Sequence, residues 1–340
     1  MKDLRLLPWL LLTILVVPQG VVRAQTPQWS VPESKQIRVI IDSDAACESD
    51  DQTVIAYALL SPKIVVRGLV AAHFKPIPGL SIHPPAAETR DASYKEMHEI
   101  LRVMNLEGCF PVRRGAAKPF PDANTPVDSE GADLIIEEAL RDDPRPLFVV
   151  FQGPLTDLAT AYRKNPSIAK RLTAVWMGGG KYPKGGPEYN QDGDRIAANI
   201  VMESDIPLWQ IPFPVYLLQQ FSMAEAAWKV GRQGPLGAFL FDRLRRFVSA
   251  FFMTAESFQY ADLPAISLLL QLQWGEDFEQ MPAPSIGLDG YYIPGTKNRP
   301  IRVYRSFDHR QGLEDLFAKL AAFAEGDLQP RCAGRAAPAR

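Results

Sequence analysis

Five carboxylic acids lie within ten positions near the start of the chain: Asp42, Asp44, Glu48, Asp50 and Asp51. One or two acids at the beginning of a helix cap its amides and complement its dipole. Five acids so close together repel one another unless a cation neutralises them. Carboxylate oxygens without a neighbouring His or Cys are typical ligands of a hard cation, Ca²⁺ or Mg²⁺. The spacing does not match an EF-hand loop, so the pattern predicts a metal site with further ligands from elsewhere in the chain.

Further segments with polar or glycine residues stand at the ends of predicted strands or helices. They are residues 151–157, 176–180, 187–194 and 260–265. Taken alone, each is also typical of an ordinary turn, a solvated loop or a helix cap. Glycines allow the backbone to approach a ligand closely, and clustered acids and amides suit a polyhydroxylated ligand. Their shared placement at element boundaries favours one joint site.

The elements that must position these residues are short apolar strands alternating with helices. The predicted strands are 38–41, 64–72, 147–151, 172–177 and 206–211, and the predicted helices are 50–60, 132–140, 157–162, 241–252 and 313–323. Nearly continuous apolar strands separated by helices are typical of a parallel sheet covered on both faces. The sequence therefore predicts an α/β fold with an open, mostly parallel central sheet. Ligands of such sheets bind beyond the carboxyl ends of the strands.

The first 24 residues resemble a secretory signal peptide. Lys2 and Arg5 give a positive start, an apolar run follows at 6–17, and small residues at 22–24 suit cleavage. A membrane anchor is the alternative, but the run is shorter than the roughly 20 residues that a spanning helix needs. We expect a secreted or periplasmic protein that is free of the membrane after cleavage.

The rest of the chain is expected to divide into a linker at 25–35, one catalytic domain at 36–325 and a flexible tail at 326–340. The 37 Lys and Arg residues against 39 Asp and Glu residues give a net charge of −2, which lacks the basic excess of a nucleic-acid-binding protein. The cysteines are Cys47, Cys109 and Cys332, and their odd number leaves at least one thiol free or paired with another chain. They form no zinc-binding pattern.

Taken in order, these residues resemble the nucleoside hydrolase family, the inosine-uridine preferring, calcium-dependent N-ribohydrolases, over residues 37–323. The family's opening signature, Asp-x-Asp-Pro-Gly-x-Asp-Asp, corresponds to Asp42-Ser-Asp44 followed by Asp50-Asp51. The spacer is two residues longer and carries Glu48, as in a divergent branch. The later landmarks are Gly153-Pro-Leu-Thr-Asp157, Met177-Gly-Gly, Glu188-Tyr-Asn190, Asp194 and Ala261-Asp262-Leu-Pro-Ala265.

The resemblance implies a Rossmann-like fold, a Ca²⁺ cofactor and a role for each matching residue. The implied metal ligands are Asp44, Asp51, the carbonyl of Gln152 and Asp262. Asp44 would also be the general base. The implied substrate-binding residues are Asp50, Glu188, Asn190, Met177 and, by its place near a ribose-binding Asn, His73. Asp42 would orient the loop, and the family's homodimers and tetramers imply a homo-oligomer.

Two departures from the family bear on the leaving group. Ala261 stands where many members have a His that protonates the departing base, and the segment 181–186 lacks a family Asn. Leaving-group activation must then use another group, for which Tyr182, His73 and Trp274 are candidates, or aromatic stacking. The preferred base stays open.

Three functions remain open from the sequence. We expect an exported calcium-dependent hydrolase that cleaves ribonucleosides, as small-molecule substrates, to ribose and free base. The absence of the His favours, as an alternative, a non-catalytic secreted protein that binds a ribosyl group or sugar. A haloacid-dehalogenase-type phosphatase ranks far lower, because Asp42-Ser-Asp44 lacks that chemistry's later paired-Asp loop.

Overall fold

The computed structural model describes residues 29–251, 256–271 and 277–332. The predicted signal peptide at 1–24 and the candidate Trp274 lie outside the described residues. Within the described ranges, no helix combines the length and apolar character needed to cross a membrane.

The strands are short and apolar where they are central. In chain order they are β1 (Ile37–Ser43), β2 (Ile64–Ala71), β3 (Val112–Arg114), β4 (Leu147–Gln152), β5 (Thr173–Met177), β6 (Leu208–Ile211), β7 (Gln220–Ser222), β8 (Ser257–Gln259), β9 (Asp277–Pro282), β10 (Ser285–Ile286), β11 (Tyr292–Ile293) and β12 (Pro300–Ser306). In the described chain, eight of them form one sheet in the order β3-β2-β1-β4-β5-β6-β12-β9. All neighbours in this sheet pair in parallel except β9, which runs antiparallel to β12 at the edge. The predicted open, mostly parallel sheet is therefore confirmed.

The helices cover both faces of the sheet. They are α1 (Asp51–Leu59), α2 (Thr89–Val103), α3 (Glu130–Leu140), α4 (Thr156–Lys164), α5 (Tyr189–Gly193), α6 (Arg195–Glu203), α7 (Met223–Lys229), α8 (Gly234–Ala250), α9 (Pro264–Leu270) and α10 (His309–Ala324). Because successive side chains of a strand point to opposite faces, β1 contributes to two apolar cores. Val39 and Ile41 pack with α1, α2 and α8 to α10, whereas Ile40 packs with α3, α4 and α6.

The order of the strands determines where a ligand can bind. From β1 the chain adds β2 and β3 on one side, then returns to add β4, β5 and β6 on the other. This reversal opens a crevice at the carboxyl ends of β1 and β4, which is the ligand-binding position of doubly wound α/β sheets.

The helix predicted at 241–252 begins earlier than the sequence suggested. The structure starts α8 at Gly234 and ends it at Ala250. Gly234-Pro235 is a sequence pattern typical of a helix break. A proline is tolerated in the first turn, however, because the amide N–H that it lacks would have no intrahelical partner there. The predicted start at Phe241 is therefore wrong by about two turns.

A disulfide between Cys109 and Cys332 ties the segment after α10 to the loop after α2, across 223 positions of sequence. Cys47 is the free thiol of the described chain, and it is buried. The expectation that the odd number of cysteines leaves a thiol unpaired therefore holds within this structure.

Candidate active site

The acids after β1 enter the crevice at the switch point of the sheet. Ser43 at the end of β1 is paired in register with Gln152 at the end of β4. The chain then leads through Asp44 into α1, whose first residue is Asp51. The strand ends thus place the acidic loop beside the predicted carbonyl ligand, Gln152.

The tightest acidic group consists of Asp50, Asp51 and Asp262, which each offer a carboxylate oxygen within 4.8 Å of the others. Asp50 precedes α1 but makes no side-chain capping hydrogen bond. Its Oδ2 instead accepts the backbone N–H of Asp262 at 2.9 Å, while Ser43 Oγ donates to Asp51 Oδ1 at 2.6 Å. The simple explanation of Asp50 as a helix cap therefore fails.

Asp44 adjoins this group from the side of β4. A Cβ on Gly153 would come within 3.2 Å of Asp44 Cγ, so glycine at this position makes room for the carboxyl. Burial, and after it the charges of Asp51 and Glu48, raises the pKa of Asp44 well above the usual range of an aspartate.

The pKa values of the neighbouring carboxyls are also raised by burial and by nearby acids. Burial raises the pKa of Asp50 to about 6, and burial followed by the charge of Asp50 raises the pKa of Asp51 to about 8. The pKa of Asp262 is likewise raised well above its ordinary value, by burial and then by the charges of Asp50 and Asp51. In the described chain the charges acting most strongly on these groups come from other acids rather than from Lys or Arg.

A hard cation fits this arrangement. The buried Oδ1 of Asp50 and the side-chain Oε1 of Gln152 have no hydrogen-bond partner in the described chain. Buried polar atoms without partners are costly, and clustered carboxylates need a positive charge to stay ionised together. A donor set of oxygens alone suits Ca²⁺ or Mg²⁺ rather than zinc.

The predicted sugar-binding residues Glu188 and Asn190 lie at the start of α5. Glu188 is its N-cap and accepts the backbone N–H groups of Asn190 and Gln191. Asn190 Nδ2 donates to the carbonyl of Met177 at 2.8 Å, so its amide oxygen is the end left for a ligand. Met177 ends β5 with its side chain in the apolar core.

The glycine loop after β5 is held against Glu188. The N–H of Gly179 donates to Glu188 Oε2 at 2.8 Å. Gly179 has φ +82°, and a Cβ there would lie 2.2 Å from Gln210 Nε2. Only glycine fits this position without strain.

His73 follows the carboxyl end of β2, is buried, and is linked to Asp194 through the hydroxyl of Thr156. Thr156 Oγ1 donates to Asp194 Oδ2 at 2.8 Å and lies 3.0 Å from His73 Nε2. Because the threonine hydroxyl donates its hydrogen bond to Asp194, His73 must donate from Nε2 to the threonine oxygen. Its Nδ1 is then an acceptor. Burial lowers the pKa of His73 to about 4, so the ring is neutral at physiological pH.

Asp42 lies beneath the site and is fully buried. Burial, and then the charge of Asp157, raises its pKa well above the usual range. Asp157 has its own donors, Ala116 N at 2.7 Å and Ser129 Oγ at 2.5 Å. The charge of Asp157 raises the pKa of Asp42 more than the charge of Asp44 does.

The leaving-group candidates do not all face the crevice. Ala261 directly precedes Asp262 and offers no proton. The hydroxyl of Tyr182 donates to the carbonyl of Pro282 at 3.1 Å, and burial raises its pKa. His73 has its N–H directed at Thr156, and Trp274 is outside the described ranges.

Tyr216 is a site residue that the sequence did not indicate. It lies in the 3₁₀ turn Val215–Leu218 after β6, and its hydroxyl donates to Glu188 Oε1 at 2.9 Å. Burial and then the charge of Glu188 raise its pKa. Its position after a strand end was the one available signal, because no motif surrounds it.

The fold and this oxygen-rich crevice define a doubly wound α/β protein with an acidic cluster at the switch point of its sheet, and comparison with known proteins gives its family. The model of the inosine-uridine preferring nucleoside hydrolases matches residues 39–303. The chain belongs to this family.

Individual relatives are distant. The chain is 25% identical over 197 residues to the pyrimidine-specific ribonucleoside hydrolase RihA of Citrobacter koseri, covering 50% of this chain and 58% of that protein. An uncharacterized protein of Schizosaccharomyces pombe is 25% identical over 53% of this chain and 62% of its own length. The chain thus spans about three fifths of the length of these relatives.

Solved structures share the fold. A purine-preferring ribonucleoside hydrolase from Gardnerella vaginalis has a TM-score of 0.68 at 18% identity, with 85% of this chain and 99% of that chain covered. A plant nucleoside hydrolase has a TM-score of 0.67 at 18% identity, covering 84% and 99%. The predicted nucleoside hydrolase fold is therefore confirmed.

Proposed function

We propose that this chain is an exported, calcium-dependent hydrolase that cleaves the N-glycosidic bond of ribonucleosides to give ribose and free base. The observation that carries this proposal is the buried cluster of Asp50, Asp51 and Asp262, joined by Asp44 at the switch point of a nucleoside hydrolase fold. Family membership supports a nucleoside as the substrate.

The ion would be held by the carboxylates of Asp44, Asp51 and Asp262 and by the backbone carbonyl of Gln152, as the family resemblance implies. When bound, calcium would orient the water and the sugar diol and lower the pKa of the water. Calcium is favoured because such sites accept many flexible oxygen ligands, whereas Mg²⁺ demands near-octahedral geometry.

The chain's own groups account for the remaining chemistry. Asp44 takes a proton as the water oxygen bonds to C1′, while the bond from C1′ to the base nitrogen breaks and the base leaves with the bonding electrons. The surrounding carboxylates stabilise the positive, oxocarbenium-like sugar of the transition state. Asp50, the amide oxygen of Asn190 and the acceptor Nδ1 of His73 would hold sugar hydroxyls.

Ala261 occupies the position of the usual His, so the departing base takes its proton from solvent or from another side chain. The lack of this His favours substrates whose base is a good leaving group. It also keeps sugar binding without hydrolysis as the competing function. A panel of inosine, uridine, adenosine and 2′-deoxyuridine separates the two. We expect ribose release from at least one ribonucleoside and much slower cleavage of 2′-deoxyuridine, which lacks one oxygen of the diol. Calcium-dependent ribose binding without release from any of them would establish the sugar-binding alternative.

Export is supported by the disulfide as well as by the predicted signal peptide, because disulfides persist in oxidising compartments. A bridge across 223 positions constrains the unfolded chain strongly. We expect Cys332→Ser to lower the free energy of unfolding by about 2–4 kcal/mol, measured by urea denaturation.

The pairing itself provides the control for this prediction. Cys109→Ser should lower the free energy of unfolding as much as Cys332→Ser does. The double variant should lower it no further, because each single substitution already removes the one bridge. Reductant should lower the stability of the unmodified protein alone. A Cys332→Ser protein as stable as the unmodified one would show that the bridge contributes nothing to stability.

A further inference from the structure

Glu48 lies in the loop between β1 and α1, within the spacer that is two residues longer than the family signature. The backbone of this loop is fixed, because Gln52 Nε2 donates to the carbonyls of Ala45 at 2.5 Å and Glu48 at 3.3 Å. Cys47 Sγ donates to the hydroxyl of Tyr189, the first residue of α5, at 3.3 Å. The loop therefore reaches from the start of α1 to the start of α5, and Glu48 directly follows the residue that makes this contact.

The carboxylate of Glu48 is only partly buried, and in the described chain it has neither a hydrogen bond nor an ion pair. The charges that act most strongly on the neighbouring carboxyls are those of further acids. A divalent ion balances two negative charges, whereas the crevice gathers six carboxyl groups: Asp44, Glu48, Asp50, Asp51, Glu188 and Asp262. The crevice is therefore expected to stay negative with calcium in place.

The candidate proton donors of this crevice are absent or engaged elsewhere. Ala261 has no proton to give, the hydroxyl of Tyr182 donates to the carbonyl of Pro282, and the N–H of His73 is directed at Thr156. A neutral base then leaves with the electron pair of the C1′–N bond as negative charge until solvent protonates it. That charge would develop among uncompensated carboxylates, which raises the barrier.

A base that already carries a positive charge avoids this cost, because it leaves as a neutral molecule. We propose that the preferred substrates are ribonucleosides with a cationic base, N-ribosylpyridinium or N7-alkylpurinium compounds, and that Glu48 favours their charge. This inference rests on the proposed function and names its substrate class.

The reaction of such a substrate balances without a protein acid. The water oxygen bonds to C1′ and gives a proton to Asp44 while the bond from C1′ to the ring nitrogen breaks. The electron pair of that bond neutralises the ring, and the positive charge passes to the sugar, where the carboxylates stabilise it. The products are ribose, a neutral base and one proton, which Asp44 returns to solvent.

The first test compares the 3-carbamoylpyridinium riboside with inosine in the presence of calcium. The value of kcat/KM should be about 100-fold higher for the cation, because a missing general acid costs roughly 10²- to 10⁴-fold for a base that needs a proton. Inosine should still be cleaved, but more slowly. A ratio below about tenfold would overturn the proposal.

Glu48→Gln tests whether charge, rather than the reactivity of the leaving group, carries this preference. The variant should lose about five- to tenfold in kcat/KM on the pyridinium riboside, as removal of one nearby charge implies. It should change by less than about twofold on inosine and on 4-nitrophenyl β-D-ribofuranoside, a neutral substrate whose leaving group needs no proton. The calcium shift in melting temperature should persist.

Asp192→Asn is the matched control, since it removes an acid of α5 that is already paired with Arg195 at 2.7 Å. All three substrates should change by less than about twofold in this variant. If Glu48→Gln loses equally on all three substrates, its role is structural and the proposal is overturned. A loss on inosine with the pyridinium riboside spared would make Glu48 a proton donor and would also overturn it.

A binding measurement separates this proposal from the proposed function. Calorimetry in calcium uses two ribosides joined through carbon, which cannot be hydrolysed: 3-(β-D-ribofuranosyl)pyridine and its N-methylpyridinium form. The cation should bind about tenfold more tightly, and Glu48→Gln should remove most of this difference. If the protein hydrolyses no riboside, the hydrolase function fails while this comparison still decides the preference for charge. If inosine is hydrolysed but the two ligands bind equally, the hydrolase function stands and this proposal is overturned.

Discussion

Replacing Asp44 by asparagine is expected to lower kcat about 10³-fold, because a positioned general base contributes roughly 10²- to 10⁴-fold to catalysis. The folded state should survive the change. The carboxyl of Asp44 is buried beside Asp51 and Glu48, whose charges oppose its ionisation. Removing one acid relieves this repulsion, so the melting temperature in chelator should stay the same or rise. Initial rates and thermal unfolding of both proteins measure the two effects.

Asp192→Asn is the matched control for this substitution. Asp192 belongs to α5 near the crevice, but its carboxylate pairs with Arg195 at 2.7 Å. This variant should keep kcat within about twofold, because a surface ion pair contributes little. Turnover by Asp44→Asn near the rate of the unmodified protein would reject Asp44 as the base.

Calcium is expected to stabilise the protein strongly at pH 8 and weakly at pH 5. Burial raises the pKa values of Asp50 and Asp51 to about 6 and about 8, above the value near 4 of an unfolded aspartate. Carboxyls that bind protons more tightly when folded contribute stability below about pH 4 and lose it as pH rises through 6 and 8. The metal-free protein should therefore become less stable across this range.

Calcium reverses this trend because it binds the ionised carboxylates. At a thousandfold excess over its Kd, a ligand adds about 4 kcal/mol, which corresponds to roughly 10 °C in Tm for a domain of this size. Thermal unfolding in calcium and in chelator, at pH 5 and pH 8, measures the difference. Asp262→Asn should abolish most of the calcium shift and Asp192→Asn none of it. A calcium shift that is absent, or equal at both pH values, would contradict the proposed cluster.

The sequence was most informative about the central strands. The predicted 147–151 and 172–177 differ from β4 and β5 by one residue at one end, because apolar residues buried on both faces leave little ambiguity. The edge of the sheet was missed. Strands β9 and β12 interleave charged residues with apolar ones, and their pairing depends on contacts between distant segments that no local pattern reveals.

The acids of the site could be predicted for a similar reason. Asp44, Asp50 and Asp51 follow a strand end directly, and strand ends in this architecture meet at one crevice. Asp262 lies more than 200 positions away, and only the family motif linked it to them. The contact between Tyr216 and Glu188 could not be predicted, because it depends on how the turn after β6 folds over the glycine loop.

The release of ribose from inosine and uridine by the purified protein, before and after removal of calcium, tests the central claim most directly. Ribose and free base should appear in equal amounts in calcium, cease after chelation and resume when calcium is restored. The absence of release from either nucleoside, in a protein whose melting temperature shows that calcium is bound, would contradict the account.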